Sequence, residues 1–247
     1  MTGGPEQAIR ITPDMLLSRR LYLERRMSRV PPVTLGLIAV FAAILAAEIS
    51  RGALESEFGI VRAGALVRQL VLDGQWWRLV TMMFLHGGVD HLFSNAVALY
   101  ILGMVCEHAY GRAQFTFLFV MSGIAGSALS AWLSPGPSVG ASGAIFGLQG
   151  AAIVLMVRHR DRLIMRARRI GVVLAAWAVF TIMQGLATPY VDNGAHIGGF
   201  LGGMLVARAL HPIVLAPPSD DVRARIRRSA IIAAGIVAAA AIGWAVS

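Results

Sequence analysis

Seven uninterrupted apolar runs dictate what this chain can become. They fall at about 33–49, 89–107, 114–133, 142–157, 170–187, 195–207 and 230–246, each near the length at which an α-helix crosses the hydrocarbon core of a bilayer. A composition of 57% hydrophobic and only 14% charged residues over 247 positions is too apolar for an ordinary soluble domain. The expected fold class is therefore an all-α polytopic membrane protein. Between the first two runs, residues 50–88 carry scattered charges and the pair Trp76 and Trp77. That segment is too polar to span and suits an interfacial loop with aromatic anchors.

Arginine placement orients the bundle. Arg10, Arg19, Arg20, Arg25, Arg26 and Arg29 precede the first run, Arg112 lies between the second and third, six arginines from Arg158 to Arg169 separate the fourth and fifth, and Arg208, Arg223, Arg225, Arg227 and Arg228 separate the sixth and seventh. Only Arg51, Arg62, Arg68 and Arg78 fall on the other side. By the positive-inside rule the N-terminus is cytoplasmic and the C-terminus external, as are the loops 134–141 and 188–194. The net charge of +9 thus follows topology, with anionic lipid headgroups as the only further partner of the Arg158–Arg169 run. No basic stretch interleaved with aromatics points to nucleic acid. The expected location is an integral one, in a bacterial cell (inner) membrane.

The first thirty residues, with Glu6, Asp14 and Glu24, do not have the layout of a signal peptide. The lone Cys106 has no partner for an intramolecular disulfide and reads as a packing residue. Pro217-Pro218-Ser219-Asp220-Asp221 reads as a turn that caps a short basic helix before the last run, which looks appended and lipid-facing.

Three of the runs enter from the external side and carry polar residues near that end: His91 and Asn95, then Ser142, then His196. Polar groups inside a membrane are costly and default to a functional reading. A rise of 1.5 Å per residue places Asn95, Ser142 and His196 roughly 6 to 12 Å below the outer surface of a core about 30 Å thick. A serine hydroxyl needs a base within hydrogen-bond reach to act as a nucleophile, and a neutral imidazole suits that role, so His196 is the candidate base for Ser142. Attack on an amide creates an oxyanion, for which His91, Asn95 and the Ser142 backbone N–H are candidate donors. Gly143 and Gly147 form one small-residue stripe, Gly199 and Gly203 another. If the stripes face each other the reactive ends meet, and Phe146, one turn below Ser142, is placed to support the imidazole ring.

Taken together, these segments resemble the rhomboid family of intramembrane serine proteases. Trp77-Arg78 followed by His86, His91 and Asn95 looks like that family's WR and HxxxxHxxxN segment. Gly140-Ala141-Ser142-Gly143 looks like its GxSG motif, and Asp192-Asn193-Gly194-Ala195-His196-Ile197-Gly198-Gly199 like its catalytic-histidine motif. The resemblance implies a six-helix catalytic core over residues 31–211, flanked by a cytoplasmic segment 1–30, a basic linker 212–229 and a seventh transmembrane helix 230–247. It implies Ser142 as nucleophile and His196 as base in a dyad without a third carboxylate, and His91 and Asn95 as oxyanion-hole side chains. His86 and Arg78 become structural supports, and Glu107 a brace of the bundle. It further implies a serine endopeptidase that acts through an acyl-enzyme on single-span membrane proteins, with no cofactor and no metal.

Some residues keep two readings. His86 is either a hydrogen-bonded loop support or a proton shuttle, and Glu107 either a brace or an interfacial polar residue. A zinc site of His86, His91 and His196 is a rival function, but the HxxxxH spacing is not that of a helical HExxH. A transporter is another, although no internal symmetry of two halves is visible.

Overall fold

The computed structural model describes residue 23 and residues 30–134, 136–163, 165–188 and 191–247. Most of the N-terminal segment 1–30, with its six arginines, and Pro189 and Tyr190 of the loop 188–194 lie outside the described residues. The protein is an integral membrane protein with an all-α polytopic fold.

The first helix, α1 (Pro32–Ser50), starts on a proline whose missing N–H would have had no partner in the first turn. The next two N–H groups are taken by a side chain from elsewhere in the bundle. Val33 N and Thr34 N donate to the Glu107 carboxylate at 3.0 and 2.9 Å, and Thr34 Oγ1 adds a third bond at 2.8 Å. A buried carboxylate thus meets the positive end of α1.

Residues 50–88 are not spanning. They form α2 (Glu57–Ala63), α3 (Arg68–Leu72), α4 (Arg78–Thr81) and a 3₁₀ turn, Met82–Phe84. Arg78 is buried and ties this segment together: its Nη1 donates to Val61 O at 2.7 Å and Ala65 O at 2.6 Å, and its Nε to Gln75 Oε1 at 2.7 Å. Its guanidinium also lies 4.5 Å from the centroid of Trp77.

The second and third expected spans belong to one long helical element, α5 (Val89–Leu133), interrupted at Gly111 with φ 77° and ψ 163°. Glycine adopts this backbone readily, and a Cβ there would also lie 2.8 Å from Ile213 Cδ1. α6 (Ser142–Arg158), α7 (Met165–Ala187), α8 (Asn193–Ala209) and α9 (Asp220–Ala245) complete the bundle. α6 and α8 are the short ones, 17 residues each, or about 25 Å of helix.

Glycines set α8 between α6 and the second arm of α5. On one face, Cβ atoms added to Gly199 and Gly203 would overlap the backbone of Gly143 and Gly147, so the two stripes face each other. On the other face, a Cβ on Gly198 would lie 2.7 Å from Ala125 O, and one on Gly126 the same distance from Ala195 O. Backbone contact on both sides is what small residues permit inside a membrane.

Two features depart from hydropathy. α9 starts at Asp220, ahead of the apolar run at 230, so the arginines from Arg223 to Arg228 lie on the same helix as that run. Ser219 stands at the N-cap position without a side-chain capping bond, but Asp220 and Asp221 sit in the first turn and Arg223 pairs with Asp220, and these charges favour helix where the apolar run has not yet begun. The arginine-rich end of the bundle is also more than topological. Arg158 Nη1 donates to Arg208 O at 2.7 Å, and Arg162 Nη2 to Leu215 O at 2.6 Å. These bonds satisfy carbonyls at and beyond the end of α8. α9 packs on the core through Gly243, where a Cβ would lie 2.8 Å from Trp77 Cδ1. Most of its large side chains stay exposed, as expected of a lipid-facing helix.

Candidate active site

Ser142 is the first residue of α6, and His196 stands in the first turn of α8. The close α6–α8 contact brings Ser142 Oγ to 3.0 Å from His196 Nε2. Phe146 lies under the imidazole as the helical period requires, with ring centroids 4.3 Å apart and planes 14° from parallel. The other ring nitrogen, Nδ1, is buried and has no hydrogen-bond partner among the described residues. For Nε2 to accept the Ser142 proton, Nδ1 must carry the imidazole hydrogen, so the ring is held by stacking and not by an acceptor at Nδ1.

Beside Gly140, in the backbone that leads into Ser142, stand His91 and Asn95, from the first turns of α5. Gly87 N donates to His91 Nδ1 at 3.3 Å, which makes Nδ1 an acceptor and leaves the hydrogen on Nε2. That Nε2 abuts Gly140: a Cβ built there would lie 2.9 Å from it and 3.9 Å from Asn95 Nδ2. Gly140 also has φ +128°, so the backbone entering α6 requires glycine on two counts. Asn95 Nδ2 donates one hydrogen to His91 O at 3.0 Å. An amide nitrogen carries two, so one remains available. Two side-chain donors thus flank the strand of backbone that delivers the Ser142 hydroxyl and N–H.

His86 is fully buried, against the rings of Phe41 at 5.1 Å and His91 at 5.4 Å. Neither of its ring nitrogens has a hydrogen-bond partner among the described residues. Its attachment is through packing and through its backbone N–H, which lies 3.4 Å from Glu48 Oε2. Glu48 is a residue that sequence reading passed over. Its signal was available, an acid inside an apolar run, but its place next to His86 depends on how α1 meets the loop. Among the described residues, no three His, Cys, Asp or Glu side chains are grouped so as to hold a metal ion. His86 and His91 adjoin, and the three-histidine zinc arrangement does not assemble.

Asp192 was visible only as part of a motif. It caps α8 through Ala195 N at 2.9 Å and accepts hydroxyl bonds from Ser130, from Ser134 at 2.7 Å and from Ser138 at 2.5 Å. Burial, the largest single influence, pushes its carboxyl up. The bonds from Ser130, Ser138, Ala195 N and Ser134 outweigh it and hold the group below the usual carboxylate range. Ser138 in turn exchanges backbone hydrogen bonds of 2.9 Å with Leu66, which fastens the loop before Ser142 to the segment after α2.

A family profile described as the Rhomboid domain matches residues 73–213, more than half of the sequence. The rhomboid protease GluP of Bacillus subtilis is 39% identical over 163 residues, which are 66% of this chain and 31% of that protein. The rhomboid protease AarA of Providencia stuartii is 32% identical over 176 residues, 62% of each chain, and the RHOMBOID-like protein 5 of Arabidopsis thaliana is 38% identical over 152 residues, 60% of this chain and 48% of that one. The chain therefore spans less than two thirds of these relatives' lengths. The matched region runs from just before Trp77 to just beyond α8 and holds His86, His91, Asn95, Ser142, Phe146, Asp192 and His196, so this chain belongs to the rhomboid family.

Proposed function

We propose that this protein is an intramembrane serine endopeptidase in which Ser142 is the nucleophile and His196 the base. The observation that carries the reading is the 3.0 Å contact between Ser142 Oγ and His196 Nε2, at the ends of two helices too short to lift it to the membrane surface. His196 takes the hydroxyl proton as Ser142 attacks the scissile carbonyl, and returns it to the amine that leaves. The oxyanion is held by His91 Nε2–H, the free Asn95 hydrogen and the Ser142 backbone N–H. Water then gives up a proton to His196, attacks the acyl-enzyme and releases Ser142. His86, Arg78 and Glu107 act through packing and hydrogen bonds on the elements that carry the site, and Gly140, Gly143 and Gly199 act by the close approach they allow.

The substrate class proposed is a single-span membrane protein that enters laterally past α7 and the loop 188–194. The arginine asymmetry supports a cytoplasmic N-terminus and a site that opens to the external side, in a bacterial cell membrane. The test is the full chain reconstituted with a model single-span substrate. Ser142→Ala and His196→Ala should each abolish cleavage, and undiminished cleavage by both would overturn the reading.

A further inference from the structure

Among the described residues no acceptor meets His196 Nδ1, yet a carboxylate stands one helical turn before the imidazole. We propose that Asp192 is a positioning and electrostatic residue for His196, supplying from the helix cap the negative charge that a third catalytic carboxylate supplies by direct contact elsewhere. The inference rests on the dyad reading above.

Two observations carry it. The first is connectivity. Asp192 receives hydroxyls from the end of α5 (Ser130, Ser134) and from the loop that leads to Ser142 (Ser138), and it caps α8 at Ala195 N. His196 N donates to Asp192 O at 3.2 Å. A single side chain thus links the loop that delivers the nucleophile to the helix that delivers the base. The second is charge. A histidine in the first turn of a helix faces the positive end of the helix dipole, which disfavours the imidazolium that must form during acyl transfer. Asp192 opposes that field from the same end. The titratable groups that act on His196 are Asp192 on its own helix side and His91 from α5, while α6 presents the Ser142 hydroxyl and the Phe146 ring. Asp192 is therefore the one acidic group acting there among the described residues.

The test uses the full chain in proteoliposomes, with cleavage of a model single-span substrate followed against pH and with Ser142 labelling by a fluorophosphonate as an independent count of reactive sites. Asp192→Asn and Asp192→Ser are both good helix caps and both neutral. Each should move the acid limb of the kcat/KM profile to lower pH by about half to one unit and lower kcat above the limb by about threefold, with KM little changed. Asp192→Glu, which keeps the charge, should leave the limb near its original place. A folded neutral variant whose limb does not move, or loss of fold in both neutral variants while Asp192→Glu folds, would make the residue purely structural and overturn the inference. Cleavage that survives Ser142→Ala would instead overturn the dyad reading itself.

Discussion

The α6–α8 pair and α7 are apolar helices of one bundle, held in opposite ways. α8 meets α6 and α5 through backbone on both faces, with glycines where any Cβ would collide. Among the described residues, α7 is fastened by Gln149 Nε2 donating to Leu174 O at 2.7 Å, by Gly171 lying against Met156 and by Gly185 against Val191 and Asn193, while it exposes Val172, Val173, Trp177, Val179, Phe180 and Met183. The difference teaches where the fold needs accuracy. A 3.0 Å contact between side chains of two helices tolerates no sliding, and backbone-to-backbone packing fixes it better than interleaved side chains. A helix bounded mainly by lipid is cheaper to displace, as the lateral substrate entry proposed above would require.

Substitutions can break that contrast or sharpen it. Gly199→Val drives two methyl groups into the Gly143 carbonyl, so it should destabilise the protein by about 3 kcal/mol or more and abolish cleavage, read as loss of folded protein in detergent. Glu107→Ala strips the first turn of α1 of its carboxylate and should cost about 2 to 3 kcal/mol in chemical denaturation. Phe146→Ala removes the ring under His196, and a loss of about 1 kcal/mol of stacking predicts a several-fold fall in kcat with the fold retained. Val179→Ala on the lipid-facing side of α7 should change stability by less than about 0.5 kcal/mol, and a larger loss would mean that α7 is held more tightly than its exposure implies.

Acid should reach the tight region through Asp192. Asp192 titrates below its unfolded value, so its contribution is complete above about pH 4 and is lost as pH falls through the lower folded-state value. Melting curves of the wild type below pH 4 should therefore drop more steeply than those of Asp192→Asn, and parallel curves would show that the four hydrogen bonds add no acid-linked stability.

Much of the candidate site was legible in the chain. Ser142, His196, His91 and Asn95 stood out because polar side chains in apolar runs are rare, and the glycine stripes because their spacing matches one helical face. Phe146 followed from the period of the helix alone. Glu48 and the serine cluster around Asp192 did not stand out, because each owes its meaning to residues far away in sequence. Ser130, Ser134 and Ser138 are ordinary serines until α8 brings a carboxylate to them. Arg158 and Arg162 were legible as charge and illegible as donors, because the carbonyls they satisfy lie some fifty residues further along the chain.

Hydropathy and helical period are local properties of the chain, and they sufficed to mark the apolar runs and the polar residues set within them. The boundaries of α9 and the break at Gly111 needed the folded backbone, since capping residues and a positive φ act over a few positions that a hydropathy window averages away. Tertiary structure alone decided the distance between Ser142 and His196, the tautomer of His91 and the gathering of three serines on Asp192. Those depend on which faces of different helices meet, and that is settled by packing the whole bundle at once.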